Sequence, residues 1–453
     1  MMLQVAEELE RYQRDFERFE RNGTNSRPEW IRRIQGAAFN RFVELGFPTT
    51  RIEEWKYTDV SPIAKIPFLR QEGICRMPAV ERLESFTLRE AACAQLVFVD
   101  GHYAPDRSFV GTLPQGVMVS SLASVLARDP ARVEPYLARY AAYRDQAFVA
   151  LNTAFMEDGA FVAVPEGTII EAPIHALFIS STSTGEASRS AAVSYPRNLI
   201  VMGAQSQARV VESHIGLEDE VYCTNAVTEI IGGEHAAIDY YKVQRESEEA
   251  FCVGTVHAQL GRSSTFSSHA IDLGGALVRN NLDVALEGDG AECDLNGLYM
   301  VTGRQHVDHH TRIDHTRPHS SSRQLYKGIL DGRSRGVFNG KIVVHPAAHD
   351  TDARQVNKNL LLSEEAVIDS KPQLEIFNND VKCTHGTTIG QHDQDAMFYL
   401  RSRGIDPPAA RSLLTYAFAS ELLGRIKVGL VRSRLEALLL ARLGNGSMRE
   451  GRS

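Results

Sequence analysis

Reactive side chains concentrate in two short peptides, HVDHHTRIDHTRPH at residues 306–319 and DVKCTHGTTIG at residues 380–390. The first sets five imidazoles beside Asp308 and Asp314 within 14 residues, which suggests a metal site. In an extended chain, however, alternate residues face opposite sides. Val307, His309, Thr311, Ile313 and His315 then share one face, and Asp308, His310, Arg312 and Asp314 the other. With Val307 and Ile313 turned inward, His309 and His315 are expected as hydrogen-bonded members of a polar ladder, metal ligation by them being the weaker alternative. His310 is expected at the surface. No HExxH or similar helical spacing accompanies the peptide.

The second peptide reads differently. If residues 381–384 run as a strand, Cys383 and His385 lie two apart on one face, about 6–7 Å between Cα atoms. A soft thiolate beside a borderline imidazole suits iron or iron–sulfur ligation. Each residue alone is ordinary, since a lone histidine is usually a satisfied polar group and a strand cysteine usually packs. The pair gains weight because Gly386 follows and the surrounding pattern ends there, leaving that face accessible. The other cysteines, Cys75, Cys93, Cys223, Cys252 and Cys293, form no CxxC pair, so neither a disulfide framework nor a four-thiolate site is written locally. Cys223, Cys252 and Cys293 are expected as small buried apolar residues. There is no Walker sequence, and the Gly-Gly pairs at 232–233 and 274–275 fall at strand turns.

Both peptides belong to a self-similar stretch from about residue 160 to 390. Apolar runs such as NLIVMG, AVTEIIGG, LDVALEG and GKIVVH end in turns at Met202, Ile231, Leu260, Glu287, His315, His345 and Phe377, giving steps of 29, 29, 27, 28, 30 and 32. A regular step with variable wording indicates a solenoid. The runs are short and β-branched, so the repeat is read as stacked β-coils. Before it, Leu3, Ala6, Leu9, Tyr12, Phe16 and Phe19 recur at helical spacing, and a second helix runs from Pro28 to a stop at Gly46. Residues 51–60, RIEEWKYTDV, read as an amphipathic edge packed on the next domain. After the repeat, Asp406 and Pro407 start a helical stretch that Gly444 ends, with a polar tail beyond. This apolar segment is expected to cap the open end of the stack. The organisation is therefore a mostly helical region over 1–155, a β-solenoid over 156–390 and a helical region over 391–453.

At 453 residues and 43% hydrophobic content the chain can bury a substantial core. A net charge of −8 argues against nucleic acid, which needs a clustered basic surface. No apolar run approaches the roughly 20 residues that span a bilayer, so no membrane association and a cytoplasmic location are expected.

The peptides LGFPTTRIEEWKYTDV, GVFNGKIVVHPAAHDTDARQVNKNLLLSEEA, DVKCTHGTTIG and MFYLRSRGI together resemble the SufB/SufD family of iron–sulfur cluster assembly subunits. The resemblance covers nearly the whole chain. It implies a right-handed parallel β-helix between helical regions and a scaffold without catalysis of its own. It also implies pairing with the paralogue SufB through the β-helices and docking of one SufC ATPase on the C-terminal helices, where Arg401, Arg403, Leu413 and Phe418 are the candidate contacts. A nascent cluster, transient and shared with SufB, would involve His385 of the CxHG motif with Cys383 as companion thiol. SufB carries a cysteine where this chain has Ala366 and an acidic residue where it has Gly386, so the resemblance is to the branch that partners SufB. Without that thiol, the chain alone is not expected to hold a cluster tightly. A solenoid with a free edge also makes a homodimer plausible in the absence of SufB. Two competing readings are a β-helix enzyme acting on polysaccharide through Asp283, Asp294, Asp308 and Asp314, and a metal-binding protein built on residues 306–319.

Overall fold

In the computed structural model, described over residues 2–23, 27–74, 77–181 and 191–449, the repeat folds as a parallel β-solenoid of about seven turns. Cys75 lies outside the described residues, as do the side chains of Leu3 and Ala6. Each coil contributes two strands. One sheet stacks from Arg197–Met202 to Val367–Ile376 and the other from Ile174–Ser180 to Val381–Gly390, every successive pair parallel and without slips in register. Ile200, Ile230, Ala258, Val284, Ile313, Ile342 and Leu374 stand directly one above another, and all but the last are fully buried. A one-residue slip in any coil would turn its apolar row outward, which is why this register is strongly specified.

The corners explain the spacing visible in the sequence. At one corner Gly203, Gly233, Gly261 and Gly288 follow strand ends, and a Cβ at Gly288 would stand 2.0 Å from the backbone nitrogen of Arg262. Only glycine lets consecutive coils approach so closely. Two residues beyond these glycines, or at the matching place in later coils, Gln205, His235, Ser263, Gly290, His319 and Asp350 all adopt positive φ. Each donates its backbone N–H to a carbonyl one coil onward, at 2.7–3.0 Å.

The N-terminal helices Met2–Gly23 and Glu29–Leu45 pack with Ala147–Phe155 around an aromatic core, in which Phe16 stacks on Phe39 at 4.1 Å and Phe155 meets Phe16 edge-on. Gly46 closes the second helix with φ +62°, as expected from sequence. The strand Ala94–Val99 extends the second sheet at its early end.

Two expectations for the C-terminal region fail. The helices Pro407–Leu423 and Gly429–Arg449 do not cap the stack; they lie along its flank. Leu422, Leu423, Val431, Leu435 and Leu439 bury themselves on Val211, Tyr241, Ile271, Leu298 and Ile329, outward-facing residues of the second sheet. The cap reading missed that this sheet carries apolar side chains on both faces, so the helices find a larger apolar surface on the side than at the end. Gly444 does not stop the last helix either, whose backbone continues to Arg449. An isolated glycine costs a helix only about 1 kcal/mol and does not by itself end it. No described helix is long and apolar enough to cross a membrane.

Candidate functional site at the open end of the solenoid

The last coil consists of Val367–Ile376 and Val381–Gly390, each bonded to a neighbour on one side and without a strand partner on the other among the described residues. Cys383 and His385 stand in register with Ala353 and Gln355 of the preceding strand, both 1% exposed. They therefore continue a row that is interior in every earlier coil. At the end of the stack the next layer is missing, and the row emerges: Cys383 is half-buried against the core and His385 is exposed. Burial pushes the Cys383 thiol above its ordinary value, which favours its protonated form in the lone chain. Thr387 continues the row and meets Ser370 of the other end strand at 3.3 Å, and Ser370 donates to buried Asn357 at 2.8 Å.

Around this row Val367, Ile376, Phe377 and Ile389 expose between 42 and 61% of their surface. Sequence reading missed these four, because their alternating pattern is that of any coil. Only the position of the coil at the end of the stack leaves them bare. Unpaired edges flanked by exposed apolar side chains are the features of a strand-pairing surface.

The His-rich strand, His306–His315, is two coils inward. His315 is fully buried, its two ring nitrogens 2.7 and 2.9 Å from the hydroxyls of Ser320 and Ser322, and His309 is buried with Nε2 3.2 Å from Asp272. Both occupy the polar ladder that strand alternation implies. His310 corrects an expectation: it is not a surface residue, its side chain being 15% exposed with Nε2 3.1 Å from Asp308. The peptide at residues 51–60 covers it. Trp55 lies over the Arg279 guanidinium at 4.3 Å, Thr58 bonds Asp308 and lies 2.9 Å from His306, and Arg279 pairs with Asp308 at 2.5 Å. Burial alone would raise the Asp308 carboxyl, but Arg279, His310 and Thr58 outweigh it and hold that group far below the ordinary carboxylate range. This network ties the N-terminal region to the solenoid.

The four carboxylates of a possible sugar-cleaving groove do not share one. Asp308 is locked in that network, Asp314 is paired with Arg312 and His345, Asp283 accepts from Gln146, and Asp294 is on the opposite sheet near Arg425.

On the C-terminal helices, Arg401 and Arg403 are exposed at and just beyond the end of Gln394–Ser402, and Leu413 is 48% exposed on Pro407–Leu423. Phe418 turns toward the solenoid. Its ring lies 4.5 Å from Lys327 Nζ, and that ammonium donates to the Phe418 carbonyl at 2.7 Å and pairs with Glu421 at 2.5 Å. Phe398 and Tyr399, which sequence reading did not single out, are more exposed than Leu413, at 73 and 57%. The three cysteines expected in the core, Cys223, Cys252 and Cys293, are there, and burial raises all three thiols.

Comparison with known proteins accords with this architecture. Residues 182–418 match the family described as SUF system FeS cluster assembly, SufBD core domain, and residues 6–176 match the SufBD protein N-terminal region. A SufBD family iron–sulfur cluster assembly protein of Synechocystis is 34% identical over 420 residues, covering 91% of each chain. The iron–sulfur cluster assembly protein SufD of Escherichia coli is 31% identical with 94% of each chain covered, and SufD of Bacillus subtilis 24% identical over 91% of this chain and 94% of its own. The solenoid with its open last coil, the helical regions on either side and these matches over nearly the full length together show that the chain belongs to the SufBD family of iron–sulfur cluster assembly proteins.

Proposed function

We propose that the chain is a SufD-type subunit, a cytoplasmic scaffold without catalysis of its own, that pairs with SufB through the last coil of the solenoid and helps build an iron–sulfur cluster at the joint. The observation that carries this reading is the emergence of Cys383 and His385 from an interior row at an open strand edge. An iron ion or nascent cluster, as cargo, needs soft and borderline ligands that are held in place yet reachable. A half-buried thiol and an exposed imidazole on one rigid strand meet that need. Two such ligands cannot complete a cluster shell, so the remaining ligands would come from SufB, and the cluster is transient and shared.

The exposed Phe398, Tyr399 and Leu413 with Arg401 and Arg403 support docking of a SufC ATPase on the C-terminal helices, and nucleotide hydrolysis would then belong to that partner. When SufB is absent, the same open edges favour a homodimer.

Co-expression with SufB and SufC, followed by anaerobic purification, tests the assembly. The expected result is a stable three-component complex that develops a visible iron–sulfur chromophore on supply of iron and sulfide. A chain that purifies without either partner, and adds nothing to cluster formation by them, contradicts the reading.

A further inference from the structure

One corner of the solenoid brings together metal-ligating side chains that the open-end row does not use. His319 lies in the turn before Ser321–Leu330, and His349 and Asp350 lie in the turn before Thr351–Leu361, one coil later. His319 Nδ1 is 3.2 Å from an Asp350 carboxylate oxygen and His349 Nδ1 is 3.4 Å from the same oxygen, while the two imidazoles meet edge to face with centroids 5.2 Å apart. One ligand atom from each residue falls within 4.8 Å of the other two, and all three side chains are exposed.

The stack holds these groups in place. His319 and Asp350 occupy the positive-φ position of their turns, and the His319 N–H donates to the His349 carbonyl at 2.9 Å. The same bond recurs along the file, but its other steps pair different side chains: Gln205 with Glu234, His235 with Arg262, Ser263 with Asp289, Gly290 with Pro318 and Asp350 with Asp380. Only the step from His319 joins two imidazoles, with a carboxylate as the next residue.

The geometry points to a site for a divalent first-row transition metal, Fe(II) in the setting of cluster assembly, held by His319, His349 and Asp350 with its remaining positions open to water or an incoming ligand. Two imidazoles and one carboxylate on one side of an ion, with open positions opposite, are a known arrangement for Fe(II). The place is informative. Asp350 is three residues before Ala353, the register partner of Cys383. At about 3.3 Å per residue and about 4.8 Å between strands, the Cα atoms of Asp350 and Cys383 are about 11 Å apart. A metal bound at this corner would wait beside the open end. That loading role rests on the assembly reading; the binding of the ion does not.

The test uses the full-length chain without a histidine tag. Equilibrium dialysis and visible spectroscopy with Co(II) alone should show one ion per chain. Binding should weaken by at least about tenfold in His319→Asn combined with His349→Ala, and likewise in Asp350→Asn. Asparagine tolerates positive φ, so these variants keep the turns, which circular dichroism would verify. Cys383→Ser combined with His385→Ala should leave Co(II) binding intact. In the complex with SufB and SufC, His319→Asn with His349→Ala should slow cluster formation when Fe(II) is limiting and leave the yield at excess iron unchanged. Absence of saturable Co(II) binding by the unaltered chain, or equal binding by the His319 and His349 variant, overturns the site. An unchanged rate at limiting iron overturns its loading role. Failure of the open-end row would register instead as an unchanged final cluster yield on altering His385, a separate readout.

Discussion

Thr58, in the N-terminal region, donates its hydroxyl hydrogen to Asp308 in the His-rich strand, 250 residues further along the chain. The bond completes a buried ring around one carboxylate, with Arg279 and His310 as the other members and Trp55 stacked on the Arg279 guanidinium.

Removing the carboxylate leaves Arg279, 2% exposed, without its counter-charge. Loss of one partner of a buried pair typically costs about 3–5 kcal/mol. Asp308→Ala should lower unfolding stability by that amount in urea titrations, and Thr58→Val by about 1–2 kcal/mol. A loss below about 1 kcal/mol for Asp308→Ala would mean that the network does not hold the two regions together.

Acid should destabilise the fold early. Burial lowers His269 and His315 to about 4 and His175 to about 3. The unfolded chain protonates these side chains near 6.5 and therefore takes up protons first. Their contribution is complete above about pH 6.5 and falls as the pH drops toward the folded values, by roughly 1.4 kcal/mol per pH unit for each. Burial would raise Glu212, but His214, Lys242 and Tyr240 bring it to about 2, and Asp308 is lowered as well; both act in the same direction, their contribution fading below about pH 4.5. Thermal midpoints should be level between pH 8 and 7 and decline steadily to pH 5, with His315→Gln shallowing the slope. A level profile down to pH 5 contradicts this assignment.

Pairing through the last coil predicts a separation of function from stability. Ile376→Asp together with Phe377→Asp and Ile389→Asp places charges where the apolar surface is exposed, so the folded chain should lose less than about 1 kcal/mol. Capture by tagged SufB should nevertheless fall by at least tenfold. Undiminished capture would move the joint elsewhere.

The C-terminal helices predict a second separation. Leu413→Asp, on an exposed site, should abolish retention of SufC and leave the midpoint unchanged. Phe418→Ala, which uncovers Lys327, should cost about 2 kcal/mol of stability. Equal loss of SufC retention in both without any stability change would mean that Phe418 faces the partner.

What the sequence makes legible follows from periodicity. The turns at Met202, Leu260 and Phe377 mark true coil ends because glycine or a tight corner must recur wherever backbones stack. The interior placement of His309 and His315 follows from alternation with Val307 and Ile313. Local pattern fails where a distant segment changes the environment. Alternation puts His310 on the outer face of its strand, and no pattern within that strand announces that Trp55 and Thr58 cover this face. His349 and Asp350 join His319 only because a coil of about 30 residues returns the chain to the same corner. The flank position of the C-terminal helices required knowing that Val211, Tyr241 and Leu298 face outward.

Cluster formation should depend most directly on His385. In anaerobic reconstitution of the full complex with iron and sulfide, His385→Ala should cut the yield of cluster, read from visible absorption and iron content, by at least about fivefold, with complex assembly intact and Cys383→Ser giving a smaller loss. Cluster formation by the His385→Ala complex at the unaltered rate and yield would contradict it.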